Sequence, residues 1–189
     1  MDKAKIRTRN DLITLFRESG FKVGAEIGVA DGKFSERLLR LIPGLKLYCV
    51  DPWGVYQGSG TCGGTVRQDR NYQGAKERLT KPENNYNVEF LRMMSMEALK
   101  YVPDGSLDFV FIDGNHKFDY VMMDIIEWSK KVRKGGIVSG HDYYYFRNGG
   151  VIEAVNAYVK THNLELRLTE ANVAVRRDEK CPSFYWTKK

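Results

Sequence analysis

The amino-acid sequence predicts a doubly wound α/β domain, a seven-stranded and mostly parallel sheet that ends in an antiparallel C-terminal strand pair. Three observations lead there. Apolar runs bounded by turn residues alternate five times with stretches of helical period, the pattern of a parallel sheet covered by helices. The clearest run, LDFVFIDG at 107–114, is nearly continuous rather than alternating, as a strand buried on both faces requires. The tail from 164 to 189, LELRLTEANVAVRRDEKCPSFYWTKK, reads as strands with no helix between them, which forces antiparallel pairing.

The elements follow in order. A short N-terminal helix is expected over about 10–19, capped by Asn10 or Asp11, with Leu12, Leu15 and Phe16 at helical spacing and Ser19-Gly20 as its stop. VGAEIGV is the first strand, and a helix from Lys33 to Ile42 places Phe34, Leu38, Leu41 and Ile42 on one face before Pro43-Gly44. LKLYCVD is the second strand. Residues 54–70 are glycine-rich without a period and read as a long loop, either a lid or a surface insertion. A helix near Tyr72–Leu79, a third strand in YNVEFLRM and a short helix in SMEALKYV come next. After the fourth strand, a helix carries Phe118, Val121, Met122, Ile125 and Trp128 as its inner stripe. GGIVSGHD is the fifth strand, and Val151, Val155, Tyr158 and Val159 mark a last helix.

With 189 residues, 42% of them hydrophobic and 29% charged, the chain suits one domain over 1–189 with one well-buried core. No apolar run is long enough to span a bilayer, and the start lacks the apolar block of a secretion signal. Cys49, Cys62 and Cys181 form no C-x-x-C pair, which points to a reducing, cytoplasmic setting. The net charge of +6 would suit an acidic partner or nucleic acid, yet Lys and Arg are spread along the chain without a block. Nucleic acid is therefore a secondary expectation, and a homodimer is open.

In a doubly wound sheet the ligand lies beyond the carboxyl ends of the strands, near the reversal of strand order. That rule selects Glu26 to Gly32, Asp51, Met93 to Met96, Asp113 to His116 and His141 to Tyr145. Glycines at 28 and 32 allow positive φ or the close approach of a ligand to backbone. The turn does not fit the dinucleotide pattern G-x-G-x-x-G, because Ala30 follows Gly28. Glu26 also argues against a pyrophosphate, which seeks N–H groups and not a carboxylate. An acid there suits a ligand bearing an ammonium and a sulfonium.

These residues resemble those of class I S-adenosylmethionine-dependent methyltransferases, and most closely a branch that carries A-E-I-G-V, V-D-P-W, F-I-D-G-x-H and G-G-I-x-x-G-H-D-Y. The motifs stand here as Ala25–Val29, Val50–Trp53, Phe111–His116 and Gly135–Tyr143. The resemblance covers roughly residues 10–160 and implies a Rossmann-like fold with S-adenosylmethionine as cofactor. It implies that Glu26, Gly28 and Gly32 line the methionine part, that Asp51 meets the ribose, and that Met94, Ser95 and Met96 border the adenine. Val29, Pro52, Trp53 and Asp113 complete the expected cofactor contacts. The chain departs from many relatives at Ala30, where a middle glycine is common. Taken singly, each residue has a plainer reading: turn glycines, a strand-ending Asp-Pro, and core methionines.

The acceptor is narrowed by what is missing. Enzymes that methylate nucleobase amines resemble one another in an Asn/Asp-Pro-Pro-aromatic turn after the fourth strand, whereas here Asp113-Gly114-Asn115-His116 stands there. No cysteine lies near that strand to serve as a nucleophile. A small-molecule hydroxyl, of a sugar or secondary metabolite, is the expected acceptor. The alternatives are a nucleic-acid methyltransferase and a non-catalytic cofactor-binding module. Asp113, His116, His141 and Asp142 are the expected catalytic residues. Asp113 and Asp142 would hold Mg²⁺ or another divalent cation, or else His116 or His141 would act as a metal-free base; purely structural roles are the third possibility. The aromatic run 143–146 would wall the acceptor or fill core under a loop.

Overall fold

The computed structural model describes residues 6–56, 64–145, 149–170 and 181–189. Strands β1 (Val23–Ile27), β2 (Lys46–Val50), β3 (Asn87–Leu91), β4 (Leu107–Ile112) and β5 (Val132–Gly140) are parallel; β6 (Arg167–Leu168) and β7 (Phe184–Thr187) complete the sheet in the order β3-β2-β1-β4-β5-β7-β6. β7 pairs antiparallel with both β5 and β6, so the expected C-terminal pair is present. Residues 171–180 of the tail lie outside the described residues.

The alternation of side chains along β4 divides the core in two. Val110 and Ile112 face one way, with Ile125 and Trp128 of α5 (Phe118–Lys131) and Val155 of α6 (Val151–Thr161). Phe109 and Phe111 face the other way, with Phe16 of α1 (Arg9–Glu18), Leu38 of α2 (Lys33–Leu41) and Leu79 of α3 (Gly64–Leu79). Phe16 stacks on Phe109 with ring centroids 4.2 Å apart, which ties α1 to the sheet. Each strand buried on both faces is thus continuous in its apolar run for a physical reason. No described helix is long and apolar enough to cross a membrane.

Three local expectations are corrected. The cap of α1 is Thr8, whose hydroxyl accepts from the Asp11 N–H; Asp11 answers from the third helical position by accepting the Thr8 N–H at 2.9 Å. This reciprocal pair leaves Asn10 inside the helix. The 54–70 loop ends early, because α3 begins at Gly64, well before Tyr72. Only Gln68, Ala75 and Leu79 of that helix are buried, so it carries too narrow an apolar stripe for a period to show. The glycine-rich stretch 57–63, with Cys62, lies outside the described residues. In α5, Phe118 is exposed and Met122 only half-buried, while Asp124 is buried among the inner residues. A final short helix, α4 (Ser95–Ala98), follows β3 as expected.

Strand order reverses between β1 and β4, which are paired neighbours. The connections leaving their carboxyl ends go to opposite sides of the sheet, and a crevice opens between them. The residues singled out in the sequence surround this point.

Candidate functional site

The turn after β1 is built on positive φ angles at Gly28 (91°), Ala30 (51°) and Gly32 (76°). At Gly28 a Cβ would lie 2.2 Å from the Asp113 carbonyl oxygen, so protein backbone from the end of β4 fills that space. Glycine is required there to let two strand ends meet, so the close approach at 28 is made by protein backbone and not by a ligand alone. At Gly32 a Cβ would come 3.1 Å from Ala75 of α3, a milder approach. Ala30 takes the left-handed conformation that a glycine would adopt more easily.

Asp51, at the end of β2, holds this turn from the side. Its Oδ2 accepts the N–H groups of Val29 and Ala30, both at 3.0 Å, and its Oδ1 accepts that of Trp53 at 2.7 Å. A carboxylate oxygen has two lone pairs. Oδ2 is therefore filled, and Oδ1 keeps one acceptor site, enough for a single ligand hydroxyl. Burial raises the Asp51 pKa against the pull of these three backbone bonds. Pro52 is half-buried beside it. Trp53 is fully buried, its indole N–H donating to the Ala30 carbonyl at 2.7 Å and its ring 5.0 Å from that of Tyr72. Trp53 supports the turn from below. Val29 is also buried.

Glu26 is 2% exposed, and its carboxylate accepts from Ser35 in the first turn of α2. It lies under the turn. Burial pushes its pKa up to about 8, against the lowering effect of the Ser35 hydroxyl; Asp113 adds to the rise and Arg9 opposes it. After β3, Met94 and Ser95 are half-buried, and Met96 packs against the core. Ser95 donates to Asp124 and accepts the Trp128 indole N–H at 2.8 Å. Burial raises Asp124 to about 7.

At the ends of β4 and β5 four titratable side chains converge. His116 Nε2 lies 2.7 Å from Asp142 Oδ2 and 3.7 Å from Asp113 Oδ1, and His141 Nδ1 lies 3.0 Å from Asp142 Oδ1. Burial alone would lower the His116 pKa, but the two carboxylates outweigh it and raise it to about 10. Burial pulls Asp142 the other way, and the two imidazoles still hold its carboxyl far below the usual range. Asp142 sits at φ 57°, a conformation that Asp and Asn tolerate better than most residues. His141 is buried, and its Nε2 has no hydrogen-bond partner among the described residues. Donor atoms of Asp113, His141 and Asp142 all lie within 4.8 Å of one another, a set that could hold a metal ion. Of the aromatic run, Tyr143 donates to Asn156 at 2.8 Å while Tyr144 and Tyr145 are exposed; residue 146 lies outside the described residues.

A family model described as a methyltransferase domain matches residues 25–143. The chain belongs to this methyltransferase family. No curated protein matches the methyltransferase in sequence. Among solved structures, it is similar to the O-methyltransferase TomG of Streptomyces achromogenes, determined in complex with S-adenosylmethionine. Identity is 14% over 95% of this chain and 79% of that one, with a TM-score of 0.67. An O-methyltransferase from Bacillus cereus in complex with S-adenosylhomocysteine gives 14%, 95%, 80% and 0.67. An rRNA methylase from Streptococcus thermophilus gives 14%, 95%, 93% and 0.64. At these identities the likeness is one of fold.

The methyltransferase also places near the β1 turn and the strand ends three polar residues that pattern reading passed over. Asp124 stands in the inner stripe of α5, between Val121 and Trp128, and an acid on an apolar face was the signal. Ser35 lies between Phe34 and Leu38 on the buried side of α2. Arg9 precedes Leu12 and Ile13 by one helical turn and so shares their buried face.

Glu26 gives the methyltransferase a pH signature. An unfolded Glu ionises near 4.5, whereas folded Glu26 keeps its proton to about 8. Between those values the folded state binds more protons, so this group's effect on stability becomes steadily less favourable as pH rises, and levels off above about 8. Glu26→Gln should gain on wild type in urea midpoint between pH 5 and pH 8.5. Equal midpoint differences at the two pH values would show that Glu26 is not held neutral.

Proposed function

We propose that the chain transfers the methyl group of S-adenosylmethionine to a hydroxyl of a small molecule. The observation that carries this reading is the convergence of Asp113, His116, His141 and Asp142 beside the β1 turn, at the point where strand order reverses. Support for the cofactor comes from the family match, from the S-adenosylmethionine and S-adenosylhomocysteine held by TomG and the Bacillus cereus enzyme, and from the open acceptor site on Asp51 Oδ1. When bound, the cofactor supplies a carbon activated by positive sulfur. The residues of the chain must then align the acceptor oxygen and remove its proton.

Asp142 organises that proton transfer. It fixes His141 through Nδ1, which in the donating tautomer leaves a lone pair on buried Nε2. His116, held protonated between two carboxylates, is suited to donate and not to accept. A divalent cation fits the same residues: two hard carboxylates and a buried imidazole nitrogen without a partner among the described residues. Asp113, Asp142 and His141 would hold it, and it would lower the pKa of the acceptor hydroxyl. The exposed Tyr144 and Tyr145 would offer apolar surface to a ring-bearing acceptor.

The test is transfer of an isotope-labelled methyl from S-adenosylmethionine to a panel of sugar and phenolic hydroxyls, with and without a chelator. Turnover stopped by chelation and restored by Mg²⁺ is expected. Turnover indifferent to chelation would assign the proton to His141 alone. Transfer only to RNA, falling steeply with salt, would replace the reading with a nucleic-acid one.

A further inference from the structure

We infer that Asp124 receives the exocyclic amine of the cofactor's adenine, an inference that rests on the S-adenosylmethionine reading above. A carboxylic acid on the inner face of a helix needs a reason. Asp124 stands in α5 among Val121, Ile125 and Trp128 and is 5% exposed. Its Oδ1 accepts from the Ser95 hydroxyl, and the oxygen of that hydroxyl accepts the Trp128 indole N–H. Its Oδ2 has no hydrogen-bond partner among the described residues.

A structural role accounts for only the first of these oxygens. Ser95 needs one acceptor for its proton, and an amide oxygen would supply it without the cost of burying an acid. The second oxygen is left in a buried place with its lone pairs unused.

Its position shows what could use them. Oδ2 lies 3.8 Å from where a Cβ on Gly114 would stand, at the end of β4, while Ser95 belongs to the end of β3. Tyr120, one helical turn before Asp124, shares its face of α5. The ring centroid of Tyr120 is 6.1 Å from that of Tyr56, which follows the end of β2. The Asn115 amide donates to the Tyr56 hydroxyl at 3.4 Å, so Tyr56 reaches across from the β2 end to the β4 end. Asp124 is close enough to Tyr56 for its charge to disfavour ionisation of the phenol. Two aromatic rings and one buried carboxylate oxygen therefore share this side of the crevice.

That combination suits a flat heteroaromatic base that carries an N–H donor in its plane. Aromatic rings accept the face of any base, so they bind without choosing. The carboxylate chooses, because it accepts from the amine of adenine and repels the carbonyl oxygen that hypoxanthine carries in the same place. Burial alone raises Asp124 to about 7, and an N–H arriving at Oδ2 would favour its ionised form.

Exchanging that one group on the ligand separates a base-reading Asp124 from an acid that only holds Ser95. Binding of S-adenosylhomocysteine and of S-inosylhomocysteine, its deaminated analogue, is measured by calorimetry at about pH 8.5, above the value of about 7 set by burial. Wild type should prefer the adenine ligand by about 10- to 100-fold, the reach of one buried hydrogen bond to a charged group. In Asp124→Asn the ratio should fall to about unity, because a carboxamide can turn either its oxygen or its N–H to the ligand. This variant keeps an oxygen for Ser95, and partial unfolding would weaken both ligands alike without moving the ratio. A ratio unchanged by Asp124→Asn, or no preference for adenine in wild type, overturns the inference and leaves the cofactor reading standing. No binding of either ligand by wild type overturns both.

Discussion

Asp142→Asn should lower methyl transfer by about 10²–10⁴-fold, the usual reach of general acid–base catalysis. Asparagine tolerates the positive φ of 57° at this position, so the backbone has no reason to move. What is lost is the negative charge. Asp142 contacts both imidazoles, through Oδ2 to His116 at 2.7 Å and Oδ1 to His141 at 3.0 Å. An amide in its place can present an N–H to His141 and upset the tautomer that leaves Nε2 basic, and it weakens any cation site shared with Asp113. Affinity for S-adenosylhomocysteine should stay within about threefold, because the turn and Asp51 are untouched, and a loss confined to kcat marks an interaction made in the transition state. Wild-type turnover in this variant would remove Asp142 from the chemistry.

Gly28→Ala should cost about 2–6 kcal/mol of stability, the sum of an overpacked contact and a strained backbone. The added Cβ would meet the Asp113 carbonyl oxygen at 2.2 Å and Gly114 Cα at 2.6 Å, all backbone with no soft side chain to yield. It would also sit at φ 91°. Gly32→Ala, with its nearest contact at 3.1 Å, should cost clearly less. Chemical denaturation of the two variants gives the comparison. If Gly28→Ala folds as well as Gly32→Ala, the β1 and β4 ends do not meet as closely as described.

The fold was legible because its signals are local and repeated. Apolar runs at 23–29, 45–50 and 107–112 became β1, β2 and β4, since strands buried on both faces need no partner information to be recognised. α3 was half missed for the opposite reason: a helix with three buried residues carries little period, and Gly64 at its start reads as loop. The expected site residues were picked by a topological rule, strand ends at a reversal, which is why Asp113, His116, His141 and Asp142 could be chosen together from positions far apart in sequence. What the rule could not supply was direction. It placed Trp53 and Glu26 at the right strand ends but not in the core, where packing against Tyr72 and a bond from Ser35 hold them. Arg9 was invisible because its contact with Asp113, far away in sequence, forms when α1 packs on the sheet.

The most direct test of the account is a calorimetric titration of the wild-type protein with S-adenosylhomocysteine and, separately, with NAD. A single site for S-adenosylhomocysteine and none for NAD is expected, since the carboxylates of Asp51 and Asp113 beside the turn oppose a pyrophosphate. Binding of NAD in place of S-adenosylhomocysteine would contradict it.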